Sequence, residues 1–195
     1  MYLDRIGNWI GDSRRRNLRM IIVTDRLELI AGTLDLTEAE LHDPGRFADL
    51  LAARVPANWP PPLNDNATME WCRRYYKEHS DGVGWANWYF VLREDSSRQR
   101  VAIGNGGFGG KPTADGTIKL GYSIMEEFQE RGYATEAVRG LVLWAFSHSE
   151  VARIIGETYP NLTKSIRVLE KNGFVFIGGG AESGVIGYEL RCRSD

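Results

Sequence analysis

Ile118, Leu120, Tyr122 and Ile124 fall at every second position, the period of a strand with one face in a core. Glu126, Glu127, Gln129, Glu130 and Arg131 then interrupt the apolar pattern. It resumes at Ala134, Ala137, Val138, Leu141, Val142 and Ala145, the spacing of one helix face. Residues 120–146 therefore predict a half-buried strand, a polar loop around Gly132, and an amphipathic helix opened by Thr135.

The rest of the chain yields to the same reading. Ile21, Ile22 and Val23 form a strand-like run, and residues 26–30 predict a first strand. Thr37 and Glu40 have the Thr-x-x-Glu spacing of a capping box, in which two side chains satisfy free N–H groups at a helix start. Asp43-Pro44-Gly45 ends that short helix, and Phe47, Leu50, Leu51 and Arg54 resume helical spacing. Pro56, Pro60, Pro61 and Pro62 remove donors and favour extended backbone, so a stiff exposed loop is expected there. Residues 66–79 predict a helix, and residues 85–92 and 101–108 two strands joined by a polar turn. Asp115-Gly116 is a hairpin signal. A buried strand follows at 151–158, then a helix at 160–172 ended by Asn172-Gly173, a pair suited to a left-handed cap. Residues 174–177 and 185–190 are final strands about a glycine-rich turn.

The order is β-α-α-β-β-β-α-β-α-β-β, without repeat or linker, which predicts one mixed α/β (α+β) domain over residues 20–195. Residues 1–19, ahead of Met20, are expected to be an N-terminal extension outside the fold.

The loop between Ile124 and Thr135 is a candidate for anion binding. A first helical turn leaves several N–H groups without partners, and the helix dipole adds partial positive charge there. A phosphate can use both, and Gly132 would let its oxygens approach the backbone. The alternative is an ordinary strand–loop–helix connection with a glycine at its bend. The loop lacks the Gly-Lys-Ser/Thr of a triphosphate loop and the Gly-x-Gly-x-x-Gly of a dinucleotide site. The other glycine clusters, at 104–110 and 178–180, lie between strands.

Composition narrows the classes. The two cysteines, Cys72 and Cys192, make no disulfide framework, which points to a reducing, cytoplasmic setting. A net charge of -2 disfavours a general nucleic-acid or anionic-membrane binder. No apolar run approaches the roughly 18 residues of a membrane span. The three histidines, His42, His79 and His148, are too scattered for a metal cluster.

Three segments in order carry a resemblance to the GNAT superfamily of acyl-CoA-dependent N-acetyltransferases, and within it to the branch of ribosomal-protein N-terminal acetyltransferases. Gln129-x-x-Gly132-x-Ala134 is similar to the superfamily's pyrophosphate motif. Asp115-Gly116-Thr117 through Gly121-Tyr122-Ser123-Ile124 resembles the strand before it. Thr158-Tyr159-Pro160 through Asn172-Gly173-Phe174 resembles the second cofactor-flanking helix.

The resemblance implies a single GNAT-like domain, with a mixed central sheet of about seven strands, flanked by helices and splayed between two central strands. It implies acetyl-CoA as cosubstrate, no metal, and transfer to a primary amine by direct attack in a ternary complex. The pyrophosphate would lie on backbone N–H groups from Gln129, Glu130, Arg131, Gly132, Tyr133 and Ala134 to Thr135. The pantetheine would run beside Ser123, Ile124 and Met125, and an N–H near Ile124 or Met125 would polarise the thioester.

Many members protonate the departing thiolate with a helix tyrosine. Leu169 stands at that position here, so Ser165 is the candidate acid; otherwise it is a polar residue in a helix first turn. Glu157 is the candidate base, or an exposed carboxylate at a strand end. Lys119 stands where relatives often carry an acid. Trp59 and Tyr122 are expected at the acceptor side, with the proline loop as a lid. The implied partners are acetyl-CoA and a peptide N-terminus or small amine, without nucleic acid or membrane, in a monomer or homodimer. Two other readings remain: a non-catalytic acyl-CoA sensor, and an unrelated nucleotide binder.

Overall fold

The computed structural model describes residues 19–62, 64–94 and 99–192. The expectation for residues 1–19 lies, apart from Arg19, outside the described residues. The described strands are β1 (Ile21–Val23), β2 (Leu27–Ala31), β3 (Asn87–Leu92), β4 (Val101–Phe108), β5 (Thr117–Ile124), β6 (Arg153–Thr158), β7 (Val175–Gly179) and β8 (Ile186–Arg191). They form one sheet in the order β1-β2-β3-β4-β5-β6-β8-β7. The sheet has one strand more than the sequence pattern suggests. Ile21–Val23 turns back at Thr24, whose N–H donates to the Leu27 carbonyl at 2.9 Å, and pairs antiparallel with β2.

The helices are α1 (Leu34–His42), α2 (Pro44–Leu51), α3 (Asn66–Glu78), α4 (Tyr133–Phe146) and α5 (Thr163–Lys171). α1 starts a turn earlier than the Thr37/Glu40 spacing suggests, because Thr33 is its cap and accepts from the Leu36 N–H. Thr37 is instead fully buried inside the helix, its hydroxyl donating to the Thr33 carbonyl at 2.9 Å. Asp43 caps α2 through the Arg46 N–H, with Pro44 at the first helical position, where its missing donor costs nothing. α5 starts three residues later than expected: Leu162 is its cap, and among the described residues no side chain, Asn161 included, caps the first turn.

Strand alternation divides the core between the sheet faces. Leu27, Leu29, Trp88, Phe90, Ile118, Leu120 and Ile154 pack with Ala137, Val138 and Leu141 of α4 and Leu169 of α5. Ile30, Tyr89, Val91 and Ala102 pack with Leu36 and Ala39 of α1 and Phe47 and Leu51 of α2. Trp85 and Trp88 are both core residues.

β5 and β6 run parallel, with α4 as the crossover such a pair needs. Their register runs from Thr117↔Arg153 to Leu120↔Gly156 and stops. β5 continues beside β4 as far as Ile124, while β6 continues beside β8 to Thr158. The two strands therefore part beyond Leu120 and Gly156. α5 lies over the parting: a Cβ at Gly156 would stand 2.6 Å from Leu169 Cδ2, so the leucine packs directly on the glycine backbone.

Candidate active site

The opening between β5 and β6 leaves backbone groups of β5 unused. The Met125 N–H donates to the Ile103 carbonyl of β4 at 2.8 Å. Hydrogen-bonding direction alternates along a strand in an antiparallel pair, so Tyr122 and Ile124 turn their N–H and C=O groups away from β4, towards the opening. The Ile124 carbonyl confirms the direction, since it accepts from Gln129 Nε2 at 3.0 Å. Ile124 thus aims its N–H into the cleft. Met125 does not, and its carbonyl also accepts from the Phe128 N–H at 2.9 Å. Of the two N–H groups expected to polarise a thioester, the Met125 one is therefore spent on the fold, and the Met125 side chain is buried.

The loop that follows supplies an uncompensated run of donors. Among the described residues, no acceptor meets the N–H groups of Glu130, Arg131, Gly132, Tyr133, Ala134 and Thr135. Gln129 departs from the expected set, because its N–H reaches the Glu126 carbonyl at 3.2 Å and its side chain braces Ile124. Glu130 and Gly132 have positive φ, 62° and 83°, so the loop coils tightly ahead of α4. Gly132 is the helix cap, with no side chain to compete for the first-turn amides. Tight turns of this kind gather successive amides into a concave anion site.

Residues distant in sequence hold this loop, and no local motif marks them. Arg26 Nη1 donates to the Arg131 carbonyl at 2.9 Å, and its guanidinium lies 4.4 Å from the Tyr133 ring centre. Its Nε contacts Glu136 Oε2 at 2.7 Å. Glu136 Oε1 accepts from the Arg26 N–H at 2.7 Å and the Thr24 hydroxyl at 2.6 Å. Burial works to raise the Glu136 pKa, but these donors outweigh it and hold the carboxyl below its usual range. Lys164 of α5 pairs with Glu130 across the loop. Arg26, Arg131 and Lys164 thus give the turn a cationic rim.

Tyr122 and Ser165 meet on the α5 side of the cleft. The Tyr122 hydroxyl donates to the Ser165 carbonyl at 3.0 Å and lies 3.1 Å from Ser165 Oγ. Burial pushes the Tyr122 phenol up to about 12, so it stays protonated at neutral pH. Tyr122 pairs with Gly106 and through it with Trp88, on the α4/α5 face. Trp59 stacks near Phe47 and Tyr89 on the other face. The two residues expected to share an acceptor wall therefore stand on opposite sides of the sheet.

Glu157 lies just past the end of the β5–β6 pairing, and both its oxygens are engaged. Oε1 accepts from the Ala181 N–H, and Oε2 from Lys119 Nζ at 2.9 Å. The Ala181 N–H, with help from Lys119, holds the carboxyl below its usual range. A base for an ammonium group needs the opposite shift. The geometry thus turns Glu157 from the expected base into a fixed negative charge at the cleft mouth.

On the α1/α2 face, Ser123 of β5 donates to the Pro62 carbonyl, which ties the proline loop down over the sheet. Trp59 Nε1 donates to Glu40 Oε1 at 2.7 Å, and the Tyr89 hydroxyl to Oε2 at 2.6 Å. Burial raises the Glu40 pKa against those two hydrogen bonds. Among the described residues, no group of three His, Cys, Asp or Glu side chains is placed to hold a metal ion. None of the described helices is long and apolar enough to cross a membrane.

The model of the acetyltransferase (GNAT) domain family matches residues 33–175. Over 167 residues the chain is 25% identical to the uncharacterized N-acetyltransferase YjdG of Bacillus subtilis, which covers 84% of this chain and 94% of that protein. RimL, a ribosomal L7/L12 alpha-N-protein acetyltransferase in its apo form, superposes with a TM-score of 0.60 at 19% identity, covering 92% of this chain and 98% of that one. The microcin C7 self-immunity acetyltransferase MccE, in complex with acetyl-CoA and AMP, does so with a TM-score of 0.56 at 16% identity, covering 86% and 93%. At such identities the structural likeness speaks for the fold alone.

Proposed function

The chain belongs to the GNAT acetyltransferase family, and from that premise we propose that it moves an acetyl group from acetyl-CoA to a primary amine by direct attack. The observation that carries the reading is the parting of β5 and β6 beside a turn of six unpartnered amides. The diphosphate of acetyl-CoA takes the amides from Glu130 to Thr135, with Arg26 and Arg131 beside it. The pantetheine pairs with the free edge of β5 at Tyr122, as an added strand does, which leaves the Ile124 N–H to the thioester. The acetyl-CoA complex of MccE supports the choice of donor.

The neutral amine nitrogen attacks the thioester carbon, and the Ile124 N–H donates a hydrogen bond to the developing oxyanion. One such donor is worth about 3 kcal/mol of barrier. The C–S bond then breaks, and the thiolate takes a proton from Ser165 Oγ, which draws one from the Tyr122 hydroxyl. This pair takes the proton-donor role that the buried Leu169 cannot fill. The acceptor ammonium gives one proton to water at the cleft mouth, beside the fixed charge of Glu157, before its nitrogen attacks. The second nitrogen proton, released as the amide forms, returns through water to the Tyr122 oxygen.

Release of free coenzyme A, measured with a panel of short peptides and simple amines, tests the reading. Turnover on at least one amine is expected. Saturable acetyl-CoA binding without turnover on any of them would identify an acyl-CoA sensor instead.

A further inference from the structure

The α1/α2 face of the sheet carries polar groups that the transfer chemistry does not use. Asn105 of β4 stands directly between Tyr89 of β3 and Ser123 of β5 in the strand register. Directly paired residues share a face, so all three side chains point to the proline-loop side. That loop touches both ends of the row: Trp59 packs on Tyr89, and Pro62 accepts from Ser123. It therefore roofs Asn105. The Asn105 side chain is 4% exposed, and its Nδ2 finds no acceptor among the described residues. Asn87, two residues before Tyr89 on the same face, is 8% exposed, and its Nδ2 is likewise unpartnered.

Buried donors without acceptors are rare in native proteins and call for an explanation. Asn105 lies under the proline loop, one strand spacing, about 4.8 Å, from the β5 backbone that flanks the cleft, and Asn87 stands beside it on the same face, two residues from Tyr89. The Glu40 carboxylate closes the other end of the row, held by Trp59 and Tyr89, neither of them a cation.

We propose that Asn105 and Asn87 form an acceptor subsite that takes a neutral hydrogen-bonding oxygen, a carbonyl or hydroxyl, carried by the amine a few bonds from its nitrogen. Two amide donors demand an oxygen acceptor, and the neighbouring Glu40 charge repels a carboxylate or phosphate. The inference rests on the acetyl-transfer reading and adds the group that the acceptor carries besides its amine. Glu40 acts here as a positioning residue: it fixes Trp59 and Tyr89 and sets the sign of charge that the subsite tolerates.

Three amines of equal length isolate the subsite: 3-aminopropanamide, n-butylamine and 3-aminopropanoate, with coenzyme A release as readout. The wild-type protein should favour the amide over each of the others by about tenfold or more in kcat/KM, the cost of leaving a buried donor unmet. Asn105→Leu should bring the amide-to-butylamine ratio to within about twofold while acetyl-CoA binds as before. Asn105→Ala is the second variant should the leucine prevent folding. Glu40→Gln should raise the carboxylate relative to the amide, which a purely structural glutamate would not do. Equal rates on amide and butylamine, or an Asn105→Leu protein that keeps the preference, would overturn the inference. So would turnover of peptides with none of the three amines accepted. Each of these leaves the acetyl-transfer reading standing, whereas absence of acetyl-CoA binding removes that reading itself.

Discussion

Glu40 shows how a single side chain can be misjudged from its neighbours in sequence. Its spacing from Thr37 suggests a helix cap, yet its carboxylate spans the α1/α2 face to Trp59 and Tyr89. Its folded pKa is raised above the ordinary 4.5, so the folded protein binds a proton more tightly than the unfolded chain. The stability linked to that proton is complete below 4.5 and is lost as pH rises through the raised value. Glu40→Gln removes this dependence. The melting temperature of the variant relative to the wild type should therefore climb between pH 4 and pH 7, by a few degrees; a flat difference would contradict the assigned burial. At the cleft, Tyr122→Phe keeps the ring but removes the proton. It should lower kcat by about tenfold to a hundredfold and leave the acetyl-CoA dissociation constant unchanged, as calorimetry and steady-state kinetics together would show. The sequence offers Ser165 as a candidate acid and Tyr122 as an acceptor-side residue, but does not reveal that the two meet. Strand alternation assigns Tyr122 to a face, while only the fold reveals which helix lies over that face. Glu157 was legible as a cleft carboxylate, but the Ala181 N–H that fixes its charge comes from 24 residues further along the chain.

Among the elements, the turn into α4 is the most local and was the easiest to read. Its amides, its glycine and its helical spacing are contiguous, so residues 130–135 follow from the sequence almost unaided. What the sequence conceals is the clamp of Thr24 and Arg26 on Glu136, because 110 residues separate Arg26 from that glutamate. The helix starts were less legible. Thr37 has the spacing of a cap, yet it is fully buried within α1 and Thr33 caps the helix instead. At Gly132 the φ of 83° lies where an alanine costs about 1–2 kcal/mol. Gly132→Ala should accordingly distort the turn and weaken acetyl-CoA binding by about tenfold in calorimetry, with a smaller effect on kcat at saturation. An unchanged dissociation constant would mean that the phosphates do not use this turn.

At the scale of the molecule, the sheet separates two tasks. One face, with α4 and α5, holds the turn into α4 and the Tyr122–Ser165 pair. The other, with α1, α2 and the proline loop, carries the Asn105 row proposed to select the acceptor. The parting of β5 and β6 lets the two faces communicate through the sheet. The alternating and helical patterns made the mixed sheet and the α4 crossover legible. Eight strands rather than seven follow from one short pairing at Ile21–Val23, too brief to stand out as a separate strand in sequence. The side-chain partition could not be read in advance, since it depends on register across three strands. The central claim, that a diphosphate lies in the turn before α4 with the pantetheine along the free edge of β5, is tested most directly by an amide-resolved NMR titration with coenzyme A. The account predicts the largest shifts at the amides of residues 130–135 and at Ile124. Saturation with those amides unmoved, and another surface shifted instead, would contradict it.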